Sequence, residues 1–99
     1  MPEVLIQRKI KIKEKNATAI ELRLPHANLV MVSGEKGFIG CGYLNLATAE
    51  KLSDAACLVR GVKTIDDLWE AKIVGLTSFA ESLGIKLGML GKEALELLV

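Results

Sequence analysis

The sequence predicts an α+β domain, a mainly antiparallel sheet with an N-terminal β-hairpin, covered by short helices. Three observations predict it. Apolar and polar residues alternate through residues 4–24, the period of a half-buried strand. Near residue 45 that alternation gives way to helix-type spacing with capping residues. No long linker, internal repeat or low-complexity tract divides the 99 residues, so one domain over 1–99 is expected, with a hairpin in 1–25 and a core in 26–99.

Each element has its own signature. In residues 4–13, Val4, Ile6, Ile10 and Ile12 point one way, interrupted by Arg8, and Gln7, Lys9, Lys11 and Lys13 point the other. Residues 14–17 supply a turn. Residues 18–24 alternate again, Ile20, Leu22 and Leu24 against Glu21 and Arg23, until Pro25 ends the ladder. Residues 28–33 form a near-continuous apolar run, expected to be buried on both faces. A tight turn at 34–37 returns the chain as a strand over 38–44.

The second half reads as short pieces. Thr48 is the expected N-cap of a helix over 48–54, and 56–60 a short buried strand. Thr64 caps a helix over 65–71, with Asp66 and Asp67 favourable in its first turn. Residues 72–76 suggest another short strand. Ser78 and Glu81 form a capping-box pair for a helix stopping at Gly84. The last helix, 92–98, has Ala94, Leu95 and Leu98 on its apolar side.

Composition bounds the function. Thirteen Lys+Arg against 12 Asp+Glu give a formal charge of +1, so no global field draws the chain to nucleic acid or an anionic membrane. No apolar run approaches the roughly 18 residues of a membrane helix. The opening MPEVLIQRKIK lacks the order of a secretory signal, and the expected location is cytoplasmic. Cys41 and Cys57 are too few for a disulfide scaffold, and their spacing fits no zinc pattern. No metal or cofactor is expected. A domain this small hides about 60 to 65% of the surface its unfolded chain exposes. Its aliphatic content, within a hydrophobic fraction of 51%, points to burial against further copies of itself. The expected contact residues are Val4, Ile6, Ile10, Ile12, Ile20 and Leu22 of the hairpin.

Chemistry concentrates in one stretch. Gly34, Gly37, Gly40 and Gly42 lie within nine residues, as in a segment that brings backbone close to a ligand, or in a hairpin turn with a bulge. Neither the P-loop nor the Rossmann order of glycines is present. Cys41 sits between two glycines, and a nucleophilic thiol there needs a base or a positive field, from Lys36, Arg60, Lys63 or His26. Lys36, Gly40, Cys41, Gly42, Asn45 and Arg60 are the ligand-binding candidates, and Cys41 the candidate nucleophile. Plainer readings stand beside these: a buried inert Cys41, a core Cys57, an exposed His26, and structural Asp54–Arg60 pairing. Lys9, Lys11, Lys13 and Lys15 are expected to share one strand face as a solvated or intersubunit surface. No aromatics interleave with them for base stacking.

Five blocks carry a family resemblance: Gly34–Gly37, Cys41–Asn45, Ala49–Ala56, Val59–Thr64 and Gly88–Leu95. Together they resemble the DUF1805 (YunC-like) family of small bacterial and archaeal proteins, over nearly the whole chain. The resemblance implies no assigned activity and hence no catalytic residues. It does imply an N-terminal β region that mediates tetramerisation. The expected protein is a cytosolic homodimer or homotetramer with a structural or small-ligand-binding role. The alternative is a small enzyme, or a redox or acyl-transfer protein, that uses Cys41.

Overall fold

The structure, a computed structural model, describes residues 5–41 and 43–99. Val4 and Gly42 therefore lie outside the described residues. In chain order the elements are β1 (Leu5–Ile12), β2 (Lys15–Arg23), β3 (Asn28–Ser33), β4 (Gly37–Gly40), α1 (Leu46–Lys51), β5 (Ala55–Leu58), α2 (Ile65–Glu70), β6 (Gly75–Leu76), α3 (Ser78–Ser82) and α4 (Gly91–Leu98). The strands form one six-stranded sheet in the order β1-β2-β3-β4-β5-β6. Every neighbouring pair is antiparallel except β4 and β5, which run parallel with α1 between them. The predicted α+β class holds. Among the described residues no helix is long and apolar enough to cross a membrane.

The N-terminal hairpin closes more tightly than its composition suggests. Ile12 pairs with Lys15, so the loop is only Lys13 and Glu14, both at positive φ (49° and 67°). A two-residue loop of that kind matches the right-handed twist of its strands. Neither residue is the Asn or Gly that advertises such a turn, which is why residues 14–17 looked like the loop. The lysines divide accordingly. Lys9 and Lys11 lie on β1, Lys13 sits in the turn and reaches Glu96 at 3.5 Å, and Lys15 opens β2.

Register decides the two faces of the sheet. Residues directly opposite in an antiparallel pair share a face. One face carries Ile6, Glu21 and Val30 in one row, and Arg8, Ala19, Val32 and Ile39 in the next. The core gathers there: Val30, Val32, Ile39 and Cys57 bury against Ile65 and Leu68 of α2 and Ala94, Leu95 and Leu98 of α4. The other face carries the rows Leu5–Leu22–Leu29 and Gln7–Ile20–Met31. There α1 covers the β4–β5 end, where Ala49 and Leu52 meet Phe38 and Ala56, while Ile20, Leu22, Leu29 and Met31 stay half-buried and Leu5 is exposed.

On β2 the inward residues are Ala17, Ala19 and Glu21, while Ile20 and Leu22 lie on the open face. One expectation is corrected by this register. Residues 28–33 are packed tightly on one face and half-covered on the other, not buried on both. Glu21 is 3% exposed, yet its Oε1 accepts the Ile65 N–H at 3.0 Å, and Arg23 Nε lies 3.8 Å from Oε2. A buried carboxylate is tolerable only with such partners. It joins the sheet to the first turn of α2.

Helix starts follow capping chemistry, shifted from the expected residues in two cases. Asn45 caps α1 by accepting the Thr48 N–H at 3.2 Å, three residues before the expected cap, and the helix ends at Lys51. Thr64 caps α2 as expected, and Asp67 completes a capping box with it. Thr77, not Ser78, caps α3. Its buried hydroxyl accepts from Ala80 and Ala56 N–H and donates to the Asp54 carbonyl at 2.7 Å. Ser78 instead gives its N–H and hydroxyl to the Glu50 carboxylate of α1. The strand expected over 38–44 stops at Gly40, and β5 runs 55–58. Asp54–Arg60 is not among the four ion pairs of the described residues.

Glu21→Ala removes the acceptor of a buried N–H and leaves a void, so it should cost about 2–3 kcal/mol in urea denaturation. A loss within about 0.5 kcal/mol, ordinary for surface sites, would refute this role. Hydrogen bonds from Ser78 hold Glu50 below its ordinary 4.5, and the Lys63 N–H bond is the largest cause holding Asp67 below 3.8. Depressed carboxyl groups stabilise fully above their unfolded pKa and lose that contribution as pH falls through the folded value. The melting temperature should therefore drop on acidification below pH 4.5, and less steeply in the Glu50→Gln, Asp67→Asn double variant.

Candidate functional site

The carboxyl ends of the parallel strands β4 and β5 open on a hollow of about 430 Å3 lined by Ala27, Asn28, Cys41, Tyr43, Gly61, Val62 and Lys63. Such ends are where open sheets place ligands, because the chain leaves the two strands in diverging loops. Here the Val59 N–H still bonds to the Gly40 carbonyl at 2.9 Å, then Gly61 turns the chain away at φ +75°. That φ is costly for any residue with a Cβ.

The loop 60–65 is held from three sides. Asn28 Nδ2 donates to the Lys63 carbonyl at 2.8 Å. Asp67 Oδ2 accepts the N–H groups of Lys63 and Thr64 at 3.1 and 3.2 Å. Glu21 fixes Ile65 from below. The hollow therefore has an ordered wall on one side, with Lys63 and the half-exposed Tyr43 in its lining.

Cys41 is 5% exposed. Its backbone N–H donates to the Val30 carbonyl at 3.0 Å, while its Sγ accepts the Val30 N–H at 3.4 Å and faces the Asn28 carbonyl at 3.7 Å. The Val30 amide and the Asn28 carbonyl together hold the sulfur in place. Burial pushes the Cys57 thiol up to about 11. Both cysteines are free. Among the described residues no three His, Cys, Asp or Glu side chains gather where they could hold a metal ion.

The expected site residues do not converge. Lys36 is at the opposite end of β4, where its N–H bonds to the Leu98 carbonyl. Asn45 is spent on capping α1. Arg60 is exposed beside Gly61, next to the hollow but not in its lining. Gly40 has no Cβ because the Leu44 side chain occupies that space. Gly34 and Gly37 likewise admit the ends of α4 and β5, at Leu98 and Ala55. These glycines serve packing. Asn28, Tyr43 and Lys63 were missing from the ligand candidates. The capping signal Val-Lys-Thr-Ile-Asp-Asp marks the Lys63 wall, whereas nothing local marks Asn28.

The fold and hollow define a small α+β domain with a thiol-lined pocket beyond the parallel pair β4–β5. Residues 40–98 match the family described as domain of unknown function DUF1805, and the chain belongs to that family. The uncharacterized protein YunC of Bacillus subtilis (strain 168) is 41% identical over 90 residues, 87% of this chain and 89% of that protein. The crystal structure of TA1206, a protein of unknown function from Thermoplasma acidophilum, matches with a TM-score of 0.92 at 35% identity, over 96% of this chain and 93% of that one.

In the native protein, Cys57 should resist iodoacetamide at neutral pH and react only once the chain is unfolded, because thiolate is the reacting form. Peptide mapping after alkylation reads this directly. Labelling of Cys57 at the rate of a free model thiol would contradict its burial.

Proposed function

We propose that the protein is a cytoplasmic, self-associating module that binds a small ligand in the Cys41 hollow. The observation that carries self-association is the open sheet face, where Leu5, Ile20, Leu22, Leu29 and Met31 lie in adjacent rows. A contiguous apolar face of this kind on a small domain is stabilised by a partner of the same shape. Of the hairpin residues expected at the contact, Ile20 and Leu22 lie on this face. Ile6, Ile10 and Ile12 lie on the other, packed against the core of their own chain. The tetrameric N-terminal β region implied by the family resemblance supports the same reading.

The ligand reading rests on the character of the hollow. It is mostly apolar, with Cys41, Tyr43 and Lys63 among its lining residues, and its size suits a small molecule. A second reading, thiol chemistry at Cys41, is favoured by one observation: the Val30 amide donates to the sulfur. Alkylation separates the two. Cys41 reacting faster than a model thiol at pH 7 favours chemistry, and a slower rate leaves binding.

Sedimentation velocity at micromolar concentration should show more than one chain per particle. Ile20→Lys with Met31→Glu places charges on the open face, outside the helix-covered core, and should give monomers with the fold intact by circular dichroism. A monomeric wild-type protein removes the self-association.

A further inference from the structure

β3 serves two surfaces at once. Leu29 and Met31 lie on the open sheet face. Between them in sequence, Asn28 lines the Cys41 hollow and the Val30 backbone bonds to Cys41. On its β4 side the ladder pairs Met31, Val32 and Ser33 with Gly40, Ile39 and Phe38, and beyond that point Cys41 takes over. The Cys41 N–H donates to the Val30 carbonyl at 3.0 Å, as that of a ladder residue does. The returning bond, from the Val30 N–H, goes to the Cys41 Sγ at 3.4 Å. Sulfur is a weak acceptor. Asn28 reaches the loop 60–65 through an exposed hydrogen bond of 2.8 Å to the Lys63 carbonyl. A segment held by few and exposed hydrogen bonds opens locally, at a lower free energy than the whole fold. β2 pairs all of Asn28–Ser33 on the other side, so such an opening tilts this corner of the sheet and carries Leu29 with it.

We propose that the open face regulates the hollow through β3. A second copy seated on Leu29 and Met31 holds residues 28–30 against Cys41 and the loop 60–65. Its departure lets them part, which opens the hollow and exposes the sulfur. This rests on the self-association proposed above. Successive side chains of a strand point to opposite faces from one backbone, so a covered Leu29 fixes Asn28 and Val30 as well. Leu29 and Met31 are half-buried in the single chain, which leaves apolar surface for the partner to cover. A partner that binds only the closed arrangement depletes the open one by mass action.

Cys41 is 5% exposed and Cys57 0%, so alkylation of Cys41 reads this opening and alkylation of Cys57 reads unfolding of the whole chain. The full-length protein is labelled with iodoacetamide across a dilution series and mapped by peptide, with sedimentation run on the same samples. The Cys41 rate should rise about tenfold from a sample in which associated chains outnumber free ones tenfold to one that is mostly dissociated. It should exceed the Cys57 rate throughout. Ile20→Lys with Met31→Glu should label Cys41 at the dissociated rate at every concentration. An associating wild-type chain whose Cys41 rate stays constant overturns the coupling and leaves the self-association standing. A chain that is monomeric throughout overturns both. Equal rates at Cys41 and Cys57 at every dilution overturn the local opening.

Discussion

The phase of β2 is the constraint on which the rest of the molecule depends. Side chains on a strand alternate, so one choice of phase assigns every residue of β2 to a face, and pairing passes that choice to β1 and β3. Ala17, Ala19 and Glu21 face the helices. Small residues let α2 approach the sheet closely, and Glu21 then receives the Ile65 N–H that begins α2. The same phase sends Ile20 and Leu22 to the other side, beside Leu29 and Met31. The isoleucine and leucine that form the apolar side of the strand thus lie away from the helices.

That arrangement has a physical logic. A six-stranded sheet has two faces, and helices as short as these cover only part of them. The tightly packed face is built from Val30, Val32, Ile39 and Cys57 against α2 and α4. On the reverse, α1 shields the β4–β5 end alone. The polar anchor Glu21 is affordable inside because three groups converge there: a helix N-terminus, a neighbouring guanidinium and a tightly packed surround. The same anchor seats the loop that walls the Cys41 hollow, so the packing of the core and the shape of the candidate site share one residue.

The glycines show how easily a functional signature is confused with a packing one. Four of them within nine residues resemble a ligand-cradling loop in sequence. In the fold, Gly34 and Gly37 make room for Leu98 and Ala55, and Gly40 for Leu44. Close approach is the common requirement, and the approaching group is the protein itself. The chemistry-bearing loop is instead the stretch around Gly61, whose capping residues were visible although its partners across the sheet were not.

Local chemistry was readable from the chain alone: the hairpin, the α+β class, the Thr64 cap, the buried stripe of α4 and the family. These depend on residues a few positions apart, whose periodicity and hydrogen bonding act at short range. The faces of β2, the burial of Glu21 and the meeting of Cys41 with Lys63 at one hollow belong to tertiary structure. Each joins segments distant in sequence, and an alternating pattern states that two faces differ without stating which one the helices will cover.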